Sequence, residues 1–411
     1  MLLQFKCENH RSIKDEVVFS MVATSDTTHA NSLINFNDNK YLRCAEIYGA
    51  NGSGKTSLLD GIAKMTAIIL NSNNHQPGDL IIRAPHKLSN KEEPTKFSII
   101  FEKSGIKYSY GFSYTENGIH KEFLFYWPGQ KKAKIFERVN NDFSFGDSFS
   151  RQGENCRGRL KINQLLLSMG AKETDIKEIS DVFLFFKNDL IVYPGEPNNW
   201  FDFSIEKLQN DKEMKQKFIN FMHLIDSDLV DVYPKFERRI LTEKELPPGL
   251  PQFLIAQILN TPSSVIDLKL DYGKFIIDIN EESKGTQKLF RFLCPIIDIL
   301  SSGKIFICDE IETHLHPSIV QKIVNEFLLN TSQKSQIVFT THDTDLLDLD
   351  MIRRDQIWFT ELKPESRSTD LYSLAELKNV RKDENIRKGY ISGKYGAIPI
   401  VGSIDKRFFK E

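Results

Sequence analysis

Residues 49–56 read GANGSGKT and fit the pattern G-x4-G-K-[ST] at every required position. The mostly apolar residues 44–48 before this stretch predict a short buried strand, and residues 57–70 after it predict a helix with one apolar face. The glycines let backbone N–H groups converge on a phosphate, and the helix directs its positive end at the same anion. The sequence therefore predicts a nucleotide-binding loop at 49–56.

The residues of this loop have individual predicted roles. We expect Lys55 to neutralise charge on the β- and γ-phosphates and Thr56 to ligate Mg²⁺. ATP and Mg²⁺ are therefore the predicted cofactors. The predicted ATP-binding residues of the loop are Asn51, Gly52, Ser53, Gly54, Lys55, Thr56 and Ser57.

A second motif lies far downstream, where residues 304–310 read KIFICDE. An apolar run is expected in a parallel strand buried on both faces, and the acids emerge at its carboxyl end, where ligands bind. Asp309 is predicted to hold Mg²⁺, directly or through water. Glu310 is predicted to be the general base that polarises the attacking water. Alone such a run is common, but coupled to the phosphate-binding loop it predicts an ATPase.

Two further motifs complete the candidate site. Residues 336–342 read QIVFTTH and predict another strand, which leads to His342, whose side chain can donate to a γ-phosphate and sense its presence. Residues 282–287 read ESKGTQ, and Ser283 is predicted to cap a helix. A helix N-terminus with Ser283 and Gly285 is also an anion site. Each motif has a plainer interpretation: an incidental histidine, or an N-cap followed by a flexible glycine.

The order of predicted elements indicates the fold class. Two short strands open the chain, residues 95–145 predict antiparallel strands, and residues 155–225 predict helices. Strands return near 265–279, and helix and strand alternate over 281–362, which is typical of a parallel sheet. The sequence therefore predicts an α/β protein with a mixed or parallel sheet and a β-rich region.

Composition sets limits on the partners. The 411 residues are 40% hydrophobic and 27% charged with a net charge of -2, so no global field attracts nucleic acid or an acidic membrane. DNA contact is possible only through a local basic patch, for which Arg151, Arg157, Arg159 and Lys161 are candidates, although a solvated face is the simpler interpretation. The five cysteines form no CxxC pair and are predicted to be buried, reduced thiols. Neither a signal peptide nor a membrane-spanning run is recognisable, which predicts a cytoplasmic location without membrane contact.

The order of these motifs resembles the ABC-type ATPase heads of SMC and RecF-like proteins. More closely, the chain is similar to stand-alone bacterial AAA family ATP-binding proteins, including the ATPase halves of abortive-infection and anti-phage operons such as RloA/AbiL, Septu and PARIS. The stretches that carry the match are FKCENHRSI at 5–13, YGANGSGKT at 48–56, DEIETHLHP at 309–317 and YISGKYGAIP at 390–399. The signature departs from the pattern, because residues 282–286 read ESKGT where ABC proteins have LSGGQ.

The resemblance implies an ABC-type head with a β-rich arm and an inserted helical lobe. The implied domains are an N-terminal ATPase half at 1–150, the helical lobe at 151–260 and a C-terminal ATPase half at 261–411. In such heads Ser283 and Gly285 of one subunit would press on the γ-phosphate bound by the other. A homodimer or higher even-numbered oligomer is therefore implied.

Three functions remain in competition at this point. The first is a nucleotide-gated switch in anti-phage defence that controls a separately encoded nuclease or toxin. The second is a RecF- or SMC-like ATPase of DNA repair or recombination that binds DNA directly. The third, a self-contained nuclease with a metal-binding Toprim domain, is expected least because too few residues follow His342.

Overall fold

The structure is a computed structural model, and its residues cluster into two compact units. Unit 1 comprises Met1–Pro194, Gly303–Ile311 and Gln321–Glu411, and unit 2 comprises Gly195–Ser302 and Glu312–Val320. The residues that the structure describes are 1–193, 198–225, 228–240, 242, 246, 255, 259–260, 263–313, 315–330, 332–378, 380–381 and 384–399.

The elements of the described residues follow the predicted alternation. The strands are β1 (Leu2–Glu8), β2 (Val17–Ser20), β3 (Ile34–Phe36), β4 (Asn39–Tyr41), β5 (Cys44–Gly49), β6 (Thr95–Lys103), β7 (Ile106–Thr115), β8 (Gly118–Trp127), β9 (Ala133–Val139), β10 (Asp142–Phe145), β11 (Leu190–Tyr193), β12 (Asp231–Arg239), β13 (Ser263–Asp271), β14 (Ile276–Asp278), β15 (Ile305–Cys308), β16 (Gln336–Thr340), β17 (Ile357–Leu362) and β18 (Thr369–Ser373). The helices are α1 (Lys55–Asn71), α2 (Ser150–Arg157), α3 (Leu166–Glu173), α4 (Lys177–Leu184), α5 (Asn198–Asn210), α6 (Lys212–His223), α7 (Lys284–Ser302), α8 (Pro317–Leu329) and α9 (Ile386–Ile391).

A six-stranded mixed sheet forms the centre of unit 1, in the order β11-β15-β16-β5-β17-β18. Its first five strands are parallel, and β18 is antiparallel to β17. Every residue of β5, β15 and β16 is buried, as expected for parallel strands covered on both faces. The predicted α/β class with a mixed sheet is confirmed.

An antiparallel sheet of seven strands forms the β-rich part of unit 1, in the order β10-β9-β8-β7-β6-β1-β2. It contains the strands predicted over 95–145 together with the two strands that open the chain. Helix α1 contacts both β1 and β5. At Gly61 this helix comes so close to β1 that an added Cβ would lie 3.3 Å from Cys7 Sγ and 3.4 Å from Phe5. The apolar face of α1 thus joins one core that both sheets share.

Helices α2, α3 and α4 also belong to unit 1. The N-terminus of α3 is held by Glu122 of β8, whose carboxylate accepts the backbone N–H groups of Leu166 and Leu167 at 2.7 and 2.9 Å. Burial raises the pKa of Glu122, and Arg138 and these two N–H groups oppose the rise. In the basic cluster, Arg157 and Arg159 pair with Glu154 and Glu173, which leaves less free charge for nucleic acid.

Unit 2 combines α5, α6 and α7 with a three-stranded antiparallel sheet in the order β12-β13-β14. Aromatic pairs fix α7 within it: Trp200 packs on Phe292 and Phe218 on Phe290, with ring centroids 5.6 and 4.7 Å apart. Most of residues 241–262 lie outside the described residues, so the boundaries of the predicted domains stay a prediction.

Two predictions from composition can be compared with the structure. All five cysteines are free and buried, as expected. Among the helices of the described residues, none combines the length and the apolar character that crossing a membrane requires.

Candidate nucleotide-binding site

The phosphate-binding loop and the two acids emerge from the same edge of the central sheet. Strand β5 ends at Gly49, where the loop begins, and β15 ends just before Asp309 and Glu310. Strand β16 lies between them, with Thr340 paired to Ile47 of β5. Because all three strands are parallel and in register, their carboxyl ends point to one side. Residues far apart in the sequence therefore meet at one site.

Two glycines are required by the shape of the loop. Gly54 has φ +110°, and a Cβ there would collide with the Thr369 side chain and lie 2.8 Å from Ser12 Oγ. Gly52 has φ +78° in open space, with no atom within 4 Å of an added Cβ. A backbone bent in this way turns successive N–H groups to one side, which is the cradle that a phosphate needs.

Hydroxyl groups from distant segments hold the loop in place. Thr369 Oγ1 of β18 lies 2.9 Å from the Ser53 carbonyl oxygen and 2.7 Å from Ser12 Oγ. Ser12 Oγ in turn donates to Ser57 Oγ in the first turn of α1 at 2.8 Å. Ser53 Oγ lies 2.6 Å from Thr360 Oγ1 of β17. Sequence reasoning did not assign Ser12, Thr360 or Thr369, and only Ser12 carried a signal, because it lies in the matched stretch 5–13.

The same N-terminal stretch braces α1 through charge. Arg11 donates to both carboxylate oxygens of Asp60, at 2.6 and 2.8 Å, and His10 Nε2 lies 2.7 Å from one of them. A bidentate pair of this kind fixes orientation as well as distance. The stretch therefore positions the helix that carries Lys55 and Thr56.

The predicted phosphate ligands lie at the start of α1. Lys55 is 6% exposed, and its Nζ donates to the carbonyl oxygens of Gly49 and Ala50 at 2.7 and 3.3 Å. Its ammonium group is thus held over the loop. Thr56 is exposed, as are Asn51 and Gly52, whereas Ser53, Gly54 and Ser57 are buried.

The acids are held by Thr340, a buried residue that sequence reasoning did not assign. Its hydroxyl donates to Asp309 Oδ1 at 2.5 Å and accepts the backbone N–H of Glu310 at 2.8 Å. Asp309 is half-buried and Glu310 is exposed. Glu310 has φ +48°, a left-handed conformation that few residues other than glycine adopt and that concentrates at functional sites.

His342 lies just beyond the end of β16 and is exposed. The backbone on each side of it is fixed. The N–H of Thr341 donates to the Ile47 carbonyl at 3.2 Å, and the N–H of Asp343 donates to Thr341 Oγ1 at 2.9 Å. His342 therefore belongs to the same sheet edge as the loop and the acids.

Ser283 and Gly285 are in a different part of the fold. They lie at the N-terminus of α7 in unit 2, whereas the loop and the acids lie in unit 1. Ser283 is exposed, and its Oγ accepts the N–H of Thr286 at 3.2 Å, which confirms the predicted N-cap. Their contact with a nucleotide stays a prediction. Of the matched stretch 309–317, His314 lies outside the described residues.

A buried carboxyl group lies on the strand that carries the loop. Glu46 of β5 is fully buried, and burial raises its pKa to about 8, while the Tyr48 hydroxyl that donates to it at 3.0 Å opposes the rise. The Tyr48 hydroxyl also lies 3.2 Å from the carbonyl oxygen of Asp343, directly after His342. Glu46 therefore keeps its proton to a higher pH than an exposed glutamate does.

The comparisons with known proteins agree with this geometry. A family profile described as "AAA domain, putative AbiEii toxin, Type IV TA system" matches residues 45–349, which is most of the chain. The chain belongs to this AAA family. Its match begins within β5 and includes the loop, both acids and His342.

Two solved structures show a distant likeness to this AAA protein. One is the "SmcHead bound to the C-winged helix domain of ScpA", at 12% identity and a TM-score of 0.43, with 90% of this chain and 97% of that chain covered. The other is the "SMC head domain from Thermotoga maritima", at 13% identity and a TM-score of 0.40, with 90% and 98% covered. No curated protein matches the chain significantly. A likeness at this level bears on neither function nor partners.

The residues at the sheet edge fit a nucleotide with its Mg²⁺. The loop offers bent backbone and a held ammonium group for phosphates, and Thr56 and Asp309 offer oxygen atoms, which Mg²⁺ prefers. Within the described ranges, no group of three or more His, Cys, Asp or Glu side chains could hold a metal ion by itself. Mg²⁺ needs only one or two protein oxygens when phosphate oxygens supply the rest, so the few oxygen ligands at this sheet edge would be sufficient.

Proposed function

We propose that this AAA family chain binds ATP with Mg²⁺ and hydrolyses it slowly, as the nucleotide-gated switch of a homodimer or higher even-numbered oligomer. The observation that carries the proposal is the convergence of the loop after β5 and the acids after β15 on one sheet edge, where Thr340 of the intervening β16 holds both acids. A phosphate-binding loop alone would support binding. A braced pair of acids beside it supports hydrolysis as well.

In this mechanism each residue has a defined task. Lys55 neutralises phosphate charge, and Thr56 and Asp309 would hold Mg²⁺, which would supply further positive charge for the phosphate oxygens. Glu310 accepts the proton of the attacking water, and its exposure leaves it free to reach that water. His342 donates a hydrogen bond to the γ-phosphate and so distinguishes ATP from ADP.

The dimer follows from the placement of the signature. Ser283 caps α7, a helix of 19 residues that has Gly285 in its first turn, so a partial positive charge develops at an exposed serine. We propose that this helix end meets the γ-phosphate bound by a sister subunit. Loss of that phosphate would remove the contact and loosen the dimer.

The cellular role that we propose is regulation in a cytoplasmic anti-phage or abortive-infection system. The family description names a putative toxin of a type IV toxin–antitoxin system, and this supports a defence role over DNA repair. The chain would act as the sensor or regulator of a separately encoded effector, a nuclease or a toxin. Co-purification from the native operon, with and without ATP, would identify that effector.

The substitution Glu310→Gln tests the switch. Without its base the protein should bind ATP, fail to hydrolyse it and accumulate as an ATP-bound dimer in light scattering. Glu365→Gln, which alters an exposed glutamate in a turn of the same unit, should behave like the wild type. Lys55→Ala should stay monomeric with ATP. An E310Q protein that stays monomeric while it binds ATP would refute the dimer switch, and unchanged hydrolysis would refute the role of Glu310.

A further inference from the structure

The turn over residues 272–275, between β13 and β14, contacts the residue that precedes Ser283. The Tyr272 N–H donates to the Phe275 carbonyl at 3.0 Å and so closes the turn. The Tyr272 hydroxyl donates to Glu282 Oε1 at 2.7 Å. The turn and the start of α7 both belong to unit 2, so this hydrogen bond lies within one compact unit.

Glu282 holds the start of α7 through several of its polar groups. Its Oε1 accepts the Tyr272 hydroxyl, and its Oε2 accepts the Ser283 N–H at 3.1 Å. Its carbonyl oxygen accepts the side-chain amide of Gln287 at 2.9 Å, and its N–H donates to the Ile279 carbonyl at 3.2 Å. Glu282 therefore links the turn to the N-cap of α7 and to the first turn of that helix.

The ring of Tyr272 is itself fixed. It stacks on Phe275, with centroids 5.2 Å apart and an angle of 29° between the planes. Gly273 has φ +74°, a conformation that favours glycine, and its N–H donates to Asp271 Oδ1 at 2.7 Å. A ring that packs on a closed turn can hold its hydroxyl at a constant position.

This contact accounts for one departure of the signature from the ABC pattern. Glu282 occupies the position at which LSGGQ has leucine. A leucine side chain accepts no hydrogen bond, whereas a carboxylate accepts several and is stabilised at a helix N-terminus. A carboxylate that is free to move, however, would compete with a phosphate for the same N–H groups. The helix end can therefore bind a phosphate only if this carboxylate is held in place.

We propose that Tyr272 is a positioning residue of the dimer interface, which holds the Glu282 carboxylate so that Ser283 and the first turn of α7 can meet the γ-phosphate of a sister subunit. The inference rests on the proposed dimer switch. Without the hydroxyl, the carboxylate is released and repels the incoming phosphate. Because α7 is not part of the phosphate-binding loop, the loss appears in ATP-driven association and not in nucleotide binding by a single subunit.

The test adds Tyr272→Phe to the Glu310→Gln protein and measures association by sedimentation equilibrium at saturating ATP and Mg²⁺. One lost hydrogen bond corresponds to roughly a three- to ten-fold effect. A two-fold dimer contains this contact twice, so the dissociation constant of the dimer should rise by roughly ten- to a hundred-fold. The calorimetric Kd for MgADP should stay within about two-fold of that of the parent.

Tyr233→Phe is the matched control. The Tyr233 hydroxyl donates to Asp271 Oδ2 at 2.9 Å, so this variant removes a tyrosine–carboxylate hydrogen bond from the same sheet without altering the contact to Glu282. Its dimer should dissociate like that of the parent. A double-mutant cycle with Glu282→Ala separates positioning from a general effect of the substitution. If the hydroxyl acts through the carboxylate, Tyr272→Phe should change association by less than about two-fold once Glu282 is removed.

Hydrogen exchange provides a second, direct measurement. Backbone amides of residues 282–287 should exchange faster in Y272F than in the parent or in Y233F. The inference is overturned if Y272F dimerises as tightly as its parent, if Y233F weakens the dimer equally, or if Y272F keeps its full effect without Glu282. A Glu310→Gln parent that binds ATP but does not dimerise would instead overturn the proposed switch, and the inference with it.

Discussion

Removal of the Thr340 hydroxyl should separate nucleotide binding from hydrolysis. Thr340→Val keeps the shape of a buried side chain that is 0% exposed, but it deletes the donor to Asp309 Oδ1 and the acceptor of the Glu310 N–H. The loop after β5 is untouched. We therefore expect binding to persist while the placement of both acids is lost.

The magnitude follows from the two hydrogen bonds. A hydrogen bond to a charged group contributes about 1.5–3 kcal/mol, and one between neutral groups about 1 kcal/mol. If half of that total is expressed only in the transition state, kcat falls by roughly ten- to thirty-fold. Thr340→Ser restores the hydroxyl and should recover kcat to within about three-fold of the wild type.

Steady-state ATPase kinetics at saturating Mg²⁺ provide the assay, with thermal unfolding as a check on folding. Thr66→Val is the control for the general effect of the substitution, because the Thr66 hydroxyl donates only to the Ile62 carbonyl within α1. KM should stay within about two-fold of the wild type in all three variants. A T340V protein with wild-type kcat, or a T340S protein as slow as T340V, would refute the bridging role of this hydroxyl.

Three other substitutions test the loop and its strand. Gly54→Ala should abolish nucleotide binding in calorimetry and lower the free energy of unfolding by more than about 2 kcal/mol, because the new Cβ would collide with Thr369 at a backbone φ of +110°. Gly52→Ala places its Cβ in open space and should lower the free energy of unfolding by only about 1 kcal/mol. Equal effects of the two substitutions would contradict the packing argument. Glu46→Gln tests the raised pKa. Relative to this variant, the free energy of unfolding of the wild type should be highest below pH 4.5. It should fall, at up to about 1.4 kcal/mol per pH unit, as the pH rises towards and through 8, because Glu46 holds its proton more tightly in the folded than in the unfolded protein. If the wild type and Glu46→Gln gave parallel pH profiles of thermal unfolding, the raised pKa of Glu46 would be refuted.

Local patterns predicted the elements of the site well. The strand–loop–helix around Lys55 and the acids after β15 could be found because glycine spacing and apolar runs are properties of short stretches. The convergence of the loop and the acids could also be expected, because the carboxyl ends of parallel strands lie at one edge of the sheet. The N-cap role of Ser283 was visible for the same local reason.

The residues that brace the site could not be found in this way. Thr340 and Thr369 each act through a single hydroxyl group, whose partners are the acids after β15 for Thr340 and the loop for Thr369, and nothing in their local sequence marks such a pairing. Threonine is common in strands for its branched side chain alone. Only the pairing order β15-β16-β5-β17-β18 shows which hydroxyls reach the loop and the acids.

The exposure of the site residues supports the proposal that a second subunit completes the site. Two groups are already fixed in this chain: Lys55, proposed to bind the phosphates, is buried, and Asp309, proposed to ligate Mg²⁺, is held by Thr340. The groups proposed to act on the γ-phosphate, Glu310 and His342, are exposed. Phosphoryl transfer gains from a site that excludes water, because charges interact more strongly there. The exposure of Glu310 is therefore best explained if hydrolysis requires a second subunit that shields this sheet edge from water. The exposed N-terminus of α7 on a sister subunit has the positive charge that such a contact with the γ-phosphate needs.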